Sequence, residues 1–248
     1  MAFMLALALP QANAEWLEPF SQGLLALADA HGCELIGGDT TQGPLNICIT
    51  VIGEVPVING RGQALLRSGA QVGDDIYVSG TLGDARLALE VLRGQRGLPP
   101  GLLALARQRL ETPTPRVALG LALRGIATAA IDISDGLLGD LGHLLAASRV
   151  GASIDTALAG ALMACQGAEL DAALEHDSRM TCILAGGDDY ELAFTAPPDA
   201  RAAVSAAATA GATRVTRIGL VQKEPGVRLT DAQGLPVANH YRSFDHFS

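Results

Sequence analysis

The chain has 248 residues, of which 49% are hydrophobic and 17% are charged, and its net charge is −9. A chain this apolar can bury a core, so the composition excludes an intrinsically disordered protein. The acidic balance and the lack of a basic stripe exclude a protein whose main partner is nucleic acid. The four cysteines form no CxxC pair, so we expect no zinc site, buried reduced thiols and a cytoplasmic location.

The N-terminal part has the pattern of a small α/β layer. An apolar run over residues 1–10 precedes Ala12-Asn13-Ala14, which imitates a signal-peptidase site. No basic residue comes before this run, so we interpret residues 3–9 as a buried strand instead. No segment reaches the length of a membrane span without a charge or a turn, so no membrane partner is expected. The other elements predicted here are a helix over 15–31 and strands over 33–36 and 45–55.

A glycine-rich stretch over residues 59–73 predicts a domain junction, which divides the chain into domains 1–62 and 63–248. Beyond the junction, strands and helices alternate, as is typical of layered α/β packing. The predicted strands are 75–79, 128–134, 151–155, 190–195 and 215–221, followed by a hairpin of 227–230 with 235–237. The predicted helices are 82–93, 102–110, 136–148 and 199–210.

Three segments share one design, in which an apolar strand leads into a turn with glycine and carboxylates. They are residues 37–40 (GGDT), 132–136 (DISDG) and 186–191 (GGDDYE). Each one alone has an ordinary structural interpretation, because Asp and Gly are favoured in turns and helix caps.

The second of these segments is the most informative. Along a strand of period two, Asp132 and Ser134 share a face while Ile133 enters the core. Asp135 then stands where the strand gives way to a helix, and it is a candidate cap for that helix. Three oxygen-bearing side chains would converge there, and magnesium takes one or two protein carboxylates together with substrate phosphates. Glycine beside the carboxylates lets the backbone approach a phosphate closely.

The positive charges narrow the chemistry further. The single lysine, Lys223, belongs to no GxxxxGK[ST] loop and to no protein-kinase motif set. Phosphoryl transfer would therefore need metal ions and an arginine, and Arg67, at the junction, is the candidate; its alternative interpretation is a surface arginine at a domain edge. The five histidines have no metal-ligand spacing and no GxSxG elbow accompanies them, which disfavours a histidine-based hydrolase.

As an ordered set, the motifs closely resemble those of the thiamine-monophosphate kinases. The set consists of GGDTTQGP at 37–44, LRSGA at 66–70 with Gly73-Asp74, IDISDGL at 131–137, GGDDYEL at 186–192 and FDHF at 244–247. The resemblance implies an N-terminal α/β domain that dimerises through its sheet and a C-terminal α/β domain of the aminoimidazole ribonucleotide synthetase type. It also implies transfer of the ATP γ-phosphoryl group to thiamine monophosphate, with magnesium as cofactor, in a homodimer when the protein is full length.

The resemblance further implies roles for particular residues. Gly38, Asp39, Arg67 and Ser134 would bind ATP. Asp39, Asp132 and Asp135 would bind magnesium, and Asp132 and Asp135 would be the catalytic pair. Asp188 would contact the thiamine phosphate and Phe244 would pack on the thiamine ring. No general base is required, because the nucleophile is already an anionic phosphate oxygen.

The sequence departs from that family at its start. The family has a further N-terminal segment with a Gly-Asp-Asp-Ala metal loop, so we expect a partial N-terminal domain and impaired kinase activity. Two alternatives stay open. One is a related ATP-dependent synthetase, such as a selenophosphate synthetase-like enzyme, against which the Asp188 and Phe244 motifs argue. The other is an inactive nucleotide-binding or dimerisation module; a pure interaction module would show no metal-dependent binding of ATP.

Overall fold

A computed structural model describes residues 1–242, without the side chain of residue 61. The chain forms two compact units, Met1–Ala64 and Leu65–Ser248. Among the residues described, no helix combines the length and the apolar character that crossing a bilayer demands.

The first unit is a small sheet with one long helix. The Asn13 side chain accepts a hydrogen bond from the Glu15 N–H and so begins the helix, as an N-cap does. Parallel and antiparallel pairing on either side of the first strand gives the sheet order β2-β1-β3. The elements are β1 (Ala2–Leu9), α1 (Ala14–Ala30), β2 (Glu34–Gln42), β3 (Asn46–Ile52) and a short hairpin of β4 (Val57–Ile58) with β5 (Arg61–Gly62).

Burial in this unit is confined to one side of the central strand. Phe3, Leu7 and Leu9 project from one face of β1 and are buried, as is Ala28 of α1. Every residue of β2 and β3 is exposed. The first unit therefore has a thin core.

The second unit is a mixed α and β fold around a seven-stranded sheet of order β12-β11-β8-β10-β6-β9-β7. Its strands are β6 (Asp75–Ser79), β7 (Ala129–Ile133), β8 (Gly151–Asp155), β9 (Glu191–Ala196), β10 (Val215–Gln222), β11 (Gly226–Thr230) and β12 (Pro236–Val237). Its helices are α2 (Asp84–Leu92), α3 (Pro100–Glu111), α4 (Val117–Ala122), α5 (Leu137–Ser148), α6 (Thr156–Ala159), α7 (Ala168–Ala173), α8 (His176–Ala185) and α9 (Arg201–Ala210).

Two apolar clusters cover the two faces of this sheet. Ile131 and Ile133 of β7 belong to the larger cluster, which α5 also supplies. Ala130 belongs to the smaller one, with Leu119 of α4 and Val204 of α9. This alternation is the strand period, and it confirms that Ile133 enters the core. Both faces of β7 are therefore covered along most of its length, and Asp132 near its end is the one residue of this strand that is exposed.

Most predicted elements are confirmed, with three corrections. Residues 37–40 lie inside β2 and not in a turn after it, because the strand continues to Gln42 alongside β1. Helices α6, α7 and α8 were not predicted, since they are short or weakly amphipathic. The cysteines are free but not all buried, because Cys48 is exposed and Cys33 is half-buried in the thin first unit.

Candidate active site

The sheet topology brings two of the three acidic segments together. Strands β7 and β9 pair antiparallel, with Ile133 opposite Glu191. The chain leaves β7 at the point where it enters β9, so residues 134–136 lie beside residues 186–190. The Asp188 N–H donates to the Ser134 carbonyl oxygen at 2.9 Å, which joins the two turns directly. We call them the β7 turn and the β9 turn.

The glycines of the β9 turn permit this close approach. A Cβ on Gly187 would lie 2.7 Å from the Ser134 carbonyl oxygen. A Cβ on Gly186 would lie 2.2 Å from the Cys182 carbonyl oxygen and 2.7 Å from the Arg86 Cβ. Real side chains do not tolerate such distances, so both positions require glycine for packing.

A carboxylate that the sequence reasoning missed holds the β7 turn. The N–H groups of Ser134, Asp135 and Gly136 all donate to Oδ2 of Asp140, at 3.0, 3.0 and 3.1 Å. Burial raises the pKa of Asp140, and the three N–H donors oppose that rise.

The candidate cap Asp135 lies one residue before the N-cap position of α5. Gly136 occupies the N-cap position of α5 and makes no side-chain cap, while Asp140 accepts the exposed N–H groups from within the first helical turn. An acidic residue in a first turn is a recognised signal of a helix start. That signal was present in the sequence and could have identified Asp140.

The β9 turn alternates outward and inward side chains. Asp188 and Tyr190 have left-handed φ angles of 69° and 51°, which are uncommon for residues other than glycine. Between and after them, Asp189 and Glu191 are fully buried. Tyr190 is 51% exposed. The buried pair thus anchors a turn whose backbone is unfavourable by itself.

Each buried carboxylate has its own partners. Asp189 Oδ2 accepts a hydrogen bond from the Gly83 N–H, at the start of α2, at 2.8 Å. Burial raises the pKa of Asp189 well above its ordinary value, against the effect of that hydrogen bond. Glu191 accepts from Ser79 at 2.6 Å, from Arg109 at 2.7 Å and from Arg116 at 2.5 and 2.7 Å. The side chains of both arginines are only 13% exposed.

Two hollows open beside these turns. The smaller has a volume of about 170 Å³ and is lined by Arg86, Leu89, Arg93, Ser134, Asp135, Gly187 and Asp188. We call it the α2 hollow. The larger has a volume of about 520 Å³ and is lined by Leu65, Arg67, Arg116, Val117, Gly120, Ala130, Ile131, Asp132, Tyr190, Glu191 and Leu192. We call it the β7 cleft.

The predicted site residues of the second unit are distributed between these hollows. Ser134, Asp135 and Asp188 line the α2 hollow together, whereas Asp132 lines the β7 cleft with Arg67. The Arg67 and Asp132 side chains approach to 3.9 Å and are about 60% exposed, so this ion pair is weak. Asp132 and Ser134, which the strand period placed on one face, thus line different hollows near the end of β7.

In the first unit, the residues predicted to bind ATP lie on an exposed strand. Gly38 has a φ of 147°, and its missing Cβ leaves room for the Leu5 carbonyl oxygen. The Asp39 carboxylate accepts a hydrogen bond from the Thr40 N–H at 2.9 Å. Phe244 lies outside the described residues. Within residues 1–242, no group of three or more His, Cys, Asp or Glu side chains is arranged to hold a metal ion.

The α2 hollow nevertheless has a suitable donor set for a hard cation. Ser134, Asp135 and Asp188 supply hydroxyl and carboxylate oxygens, and magnesium needs only one or two protein carboxylates when phosphates complete its coordination.

Comparison with known proteins supports one family over the whole chain. Residues 71–232 match the family model described as AIR synthase related protein, C-terminal domain, and residues 1–55 match the corresponding N-terminal domain. The thiamine-monophosphate kinase of Salmonella typhimurium is 41% identical over 98% of this chain and 73% of its own length. The thiamine-monophosphate kinase of Escherichia coli K12 is 40% identical over the same shares.

Solved structures agree with the sequence relatives. The thiamine-monophosphate kinase of Stenotrophomonas maltophilia matches with a TM-score of 0.81 and 48% identity, over 95% of this chain and 72% of that one. AaThiL complexed with AMPPCP and TMP matches with a TM-score of 0.79 and 29% identity, over 99% and 73%. Escherichia coli HypE, at 22% identity and a TM-score of 0.71, shares the fold.

Proposed function

The chain belongs to the thiamine-monophosphate kinases of the AIR synthase related family, and from this membership we infer that it transfers the γ-phosphoryl group of ATP to thiamine monophosphate. It is an enzyme, a phosphotransferase whose acceptor is itself a phosphate group, and its product is thiamine diphosphate. The structural observation that carries this proposal is the meeting of the β7 turn and the β9 turn at one hollow lined by Ser134, Asp135 and Asp188.

We propose the following roles for the site residues. Gly38, Asp39, Arg67 and Ser134 bind ATP, and Asp188 and Phe244 bind thiamine monophosphate. Asp39, Asp132 and Asp135 hold Mg²⁺, which neutralises phosphate charge when bound. The hard oxygen donors of the β7 turn support this metal assignment.

The main task of the protein in this reaction is to position the two substrates. An acceptor phosphate oxygen is already anionic, so no side chain has to remove a proton from it. Arg67 supplies a fixed positive charge beside Asp132, at the mouth of the β7 cleft. Asp140 holds the backbone of Ser134 and Asp135 through three hydrogen bonds, so that their side chains start from a defined geometry. A rigid, pre-arranged site of this kind lowers the cost of orienting two anionic substrates.

We further propose that the protein is a cytoplasmic homodimer. The free cysteines fit a reducing compartment. The exposed apolar side chains of β3 give the first unit a surface that a second copy of the chain would cover. They are Ile47, Ile49 and Val51, which share one face of β3 and are between 44% and 62% exposed.

The test is a coupled kinase assay of the purified chain with ATP, using thiamine monophosphate or free thiamine as acceptor. We expect transfer to thiamine monophosphate only, loss of activity with a chelator, and recovery with Mg²⁺. Asp135→Asn should abolish turnover with an unchanged circular dichroism spectrum, while Asp199→Asn, at an exposed position, should behave as the wild type. Comparable rates on both acceptors would overturn the substrate assignment, and unfolding of Asp135→Asn would return that residue to a structural role.

A further inference from the structure

The α2 hollow is lined by two arginines that lie outside the sequence motifs. Arg86 and Arg93 line it from α2, opposite Ser134, Asp135 and Asp188. Seven residues separate the two arginines along the sequence, which is about two helical turns, so both lie on the same face of the helix. Leu89 lies between them on that face and also lines the hollow. The hollow is therefore walled by carboxylates on one side and by guanidinium groups on the other.

The first of these arginines is held in place. Arg86 Nε donates to Glu90 Oε1 at 2.8 Å, and Arg96 Nε donates to Glu90 Oε2 at 3.0 Å. Glu90 is 9% exposed, whereas the Arg86 and Arg96 side chains are 36% and 26% exposed, so the pairing is partly buried. Gly186 lies directly over the stem of Arg86, where a Cβ would come within 2.7 Å. Within residues 1–242, the hydrogen bonds of the Arg86 side chain run through Nε, and its two terminal nitrogens bond to no other side chain there.

The second arginine lacks such an anchor. Arg93 is the C-cap residue of α2 and its side chain is exposed. Among the described residues its side chain forms no ion pair, whereas Arg86 and Arg96 share Glu90. An exposed arginine that lines a hollow and makes no ion pair has its full set of donors available for an anionic ligand.

Charge and size indicate which ligand fits. Asp135 and Asp188 alone would repel a phosphate, but the two arginines bring the formal charge of the hollow to zero before any metal ion enters. The hollow, of about 170 Å³, is much smaller than the β7 cleft, of about 520 Å³, so it suits a phosphate group and the cleft suits the larger nucleotide. A phosphate monoester carries a charge of about −1.5 to −2 at neutral pH, and because the arginines offset the two carboxylates, the Mg²⁺ ion proposed at Asp135 is what would balance the phosphate charge.

We propose that Arg86 and Arg93 bind the phosphate of the acceptor substrate and make α2 the element that distinguishes phosphorylated thiamine from thiamine. This inference rests on the proposed function. It assigns the acceptor phosphate to the α2 hollow, with Asp188 beside it, and leaves Arg67, in the β7 cleft, for the nucleotide.

The test is calorimetric titration of thiamine monophosphate and of free thiamine into the wild type, Arg86→Ala, Arg93→Ala and the double variant. Arg107→Ala is the matched control, because Arg107 also forms an i,i+4 ion pair on a helix, with Glu111, but lies outside the hollow. Each charge-assisted hydrogen bond contributes about 10- to 100-fold in affinity. We expect each single variant to weaken thiamine monophosphate binding by that factor and to leave thiamine binding unchanged. Arg107→Ala should match the wild type for both ligands.

Two results would overturn the inference: equal weakening of the binding of both ligands, or no weakening of the binding of either. Failure of the proposed function is a different observation, namely a wild type that transfers no phosphoryl group to thiamine monophosphate. If that wild type still binds thiamine monophosphate in preference to thiamine, the binding comparison among the variants decides the role of the arginines. A wild type that neither transfers a phosphoryl group to thiamine monophosphate nor binds it in preference to thiamine would contradict both proposals.

Discussion

The tripeptide Gly-Gly-Asp occurs twice, and the two copies fold differently. Residues 37–39 lie within the exposed strand β2, whereas residues 186–188 form the turn that enters β9. In the first copy only Gly38 meets another backbone, since nothing lies within 4 Å of a Cβ built on Gly37. In the second copy both glycines press against neighbouring backbone. The same tripeptide therefore makes one close backbone contact in the thin first unit and two in the densely packed second unit.

The residues that follow each copy explain this difference. After Asp39 come threonines on an exposed strand, and the Asp39 carboxylate accepts a hydrogen bond from its neighbour's N–H. After Asp188 come the buried carboxylates of Asp189 and Glu191, which hold the backbone from inside. In the second unit, Asp188 lines the α2 hollow, whereas Asp189 and Glu191 are buried and hold the turn in place. The comparison teaches that one acidic motif can contain both ligand-facing and structural carboxylates, and that their burial tells them apart.

The largest effect is expected from removing the buried anchor of the β9 turn. Glu191→Ala leaves Arg109 and Arg116 buried without their carboxylate, and breaking a buried ion pair by removing one partner costs about 3–5 kcal/mol. Urea denaturation should show this loss in the free energy of unfolding. Glu111→Ala, which removes an exposed ion pair with Arg107, should cost less than about 1 kcal/mol. A similar small cost for both variants would mean that Glu191 does not anchor the turn.

The next effect tests the two tripeptides directly by replacing each glycine with alanine. Gly38→Ala, Gly186→Ala and Gly187→Ala each force a Cβ against backbone, which we expect to destabilise the affected unit by about 1–3 kcal/mol. Gly37→Ala should stay within about 0.5 kcal/mol of the wild type, as open surface positions do. Hydrogen exchange reports each unit separately, so local protection of β1 and of β9 is the measurement. A costly Gly37→Ala would contradict the distinction between the two copies.

These contacts also show what the sequence could not supply. The sequence predicts β6 and β8 to the residue, because each is a short segment with β-branched residues that turn signals bound on either side. It also predicts the strand ends at which the site lies. The pairing of β7 with β9 is different, since these strands are far apart in sequence and only tertiary contacts join them. Hence the motif Ser134-Asp135 and the motif with Asp188 are each visible in the sequence, but their meeting is not.

The supporting side chains escaped prediction for a related reason. Arg109 and Arg116 reach Glu191 across more than seventy residues of sequence, and no local pattern indicates such a contact. Arg86 and Arg93 have the spacing of a common exposed helix face, so only the hollow distinguishes them. Asp140 is the exception, because its place in a first helical turn is a local signal. The sequence predicts a turn at Asp39, which in fact lies inside β2, because Gly-Gly-Asp favours turns when the partner strand is not known.

A smaller effect should come from the carboxylate that holds the β7 turn. Asp140→Ala leaves the N–H groups of Ser134, Asp135 and Gly136 without their acceptor, at a cost of about 1–3 kcal/mol in stability. We also expect kcat/KM to fall about tenfold or more, since the turn would lose its defined geometry. Asp155→Ala is the control, because Asp155 also accepts backbone N–H groups, from Ala157 and Leu158, away from both hollows.

The control should lose about 1 kcal/mol of stability, as other helix caps do, with unchanged kcat/KM. Asp140→Ala with normal kcat/KM would show that the β7 turn keeps its shape without this carboxylate, and would limit Asp140 to a structural role. We therefore expect both variants to lose stability, but only Asp140→Ala to lose kcat/KM.

A different kind of effect is a change in pH dependence. Burial raises the pKa of Asp189 in the folded state, so the folded protein retains a proton that the unfolded chain has released above about pH 4. Since the folded state then binds more protons, Asp189 lowers the free energy of unfolding as pH rises from about 4 through its folded pKa. Asp75 acts in the opposite sense, because hydrogen bonding to Arg201 lowers its pKa and its contribution is lost as pH falls.

Asp189→Asn isolates the first of these contributions, because an amide cannot ionise and its oxygen can still accept from the Gly83 N–H. The free energies of unfolding of variant and wild type should be compared from pH 4 to pH 8. We expect their difference to shift in favour of the variant as pH rises, by up to about 1.4 kcal/mol for each pKa unit of the shift that lies within this range. Asp199→Asn, at an exposed position, should show no such trend. A constant difference for Asp189→Asn would mean that the carboxyl is ionised in the folded protein throughout that range, and that the buried side of the β9 turn carries charge on both of its acidic residues.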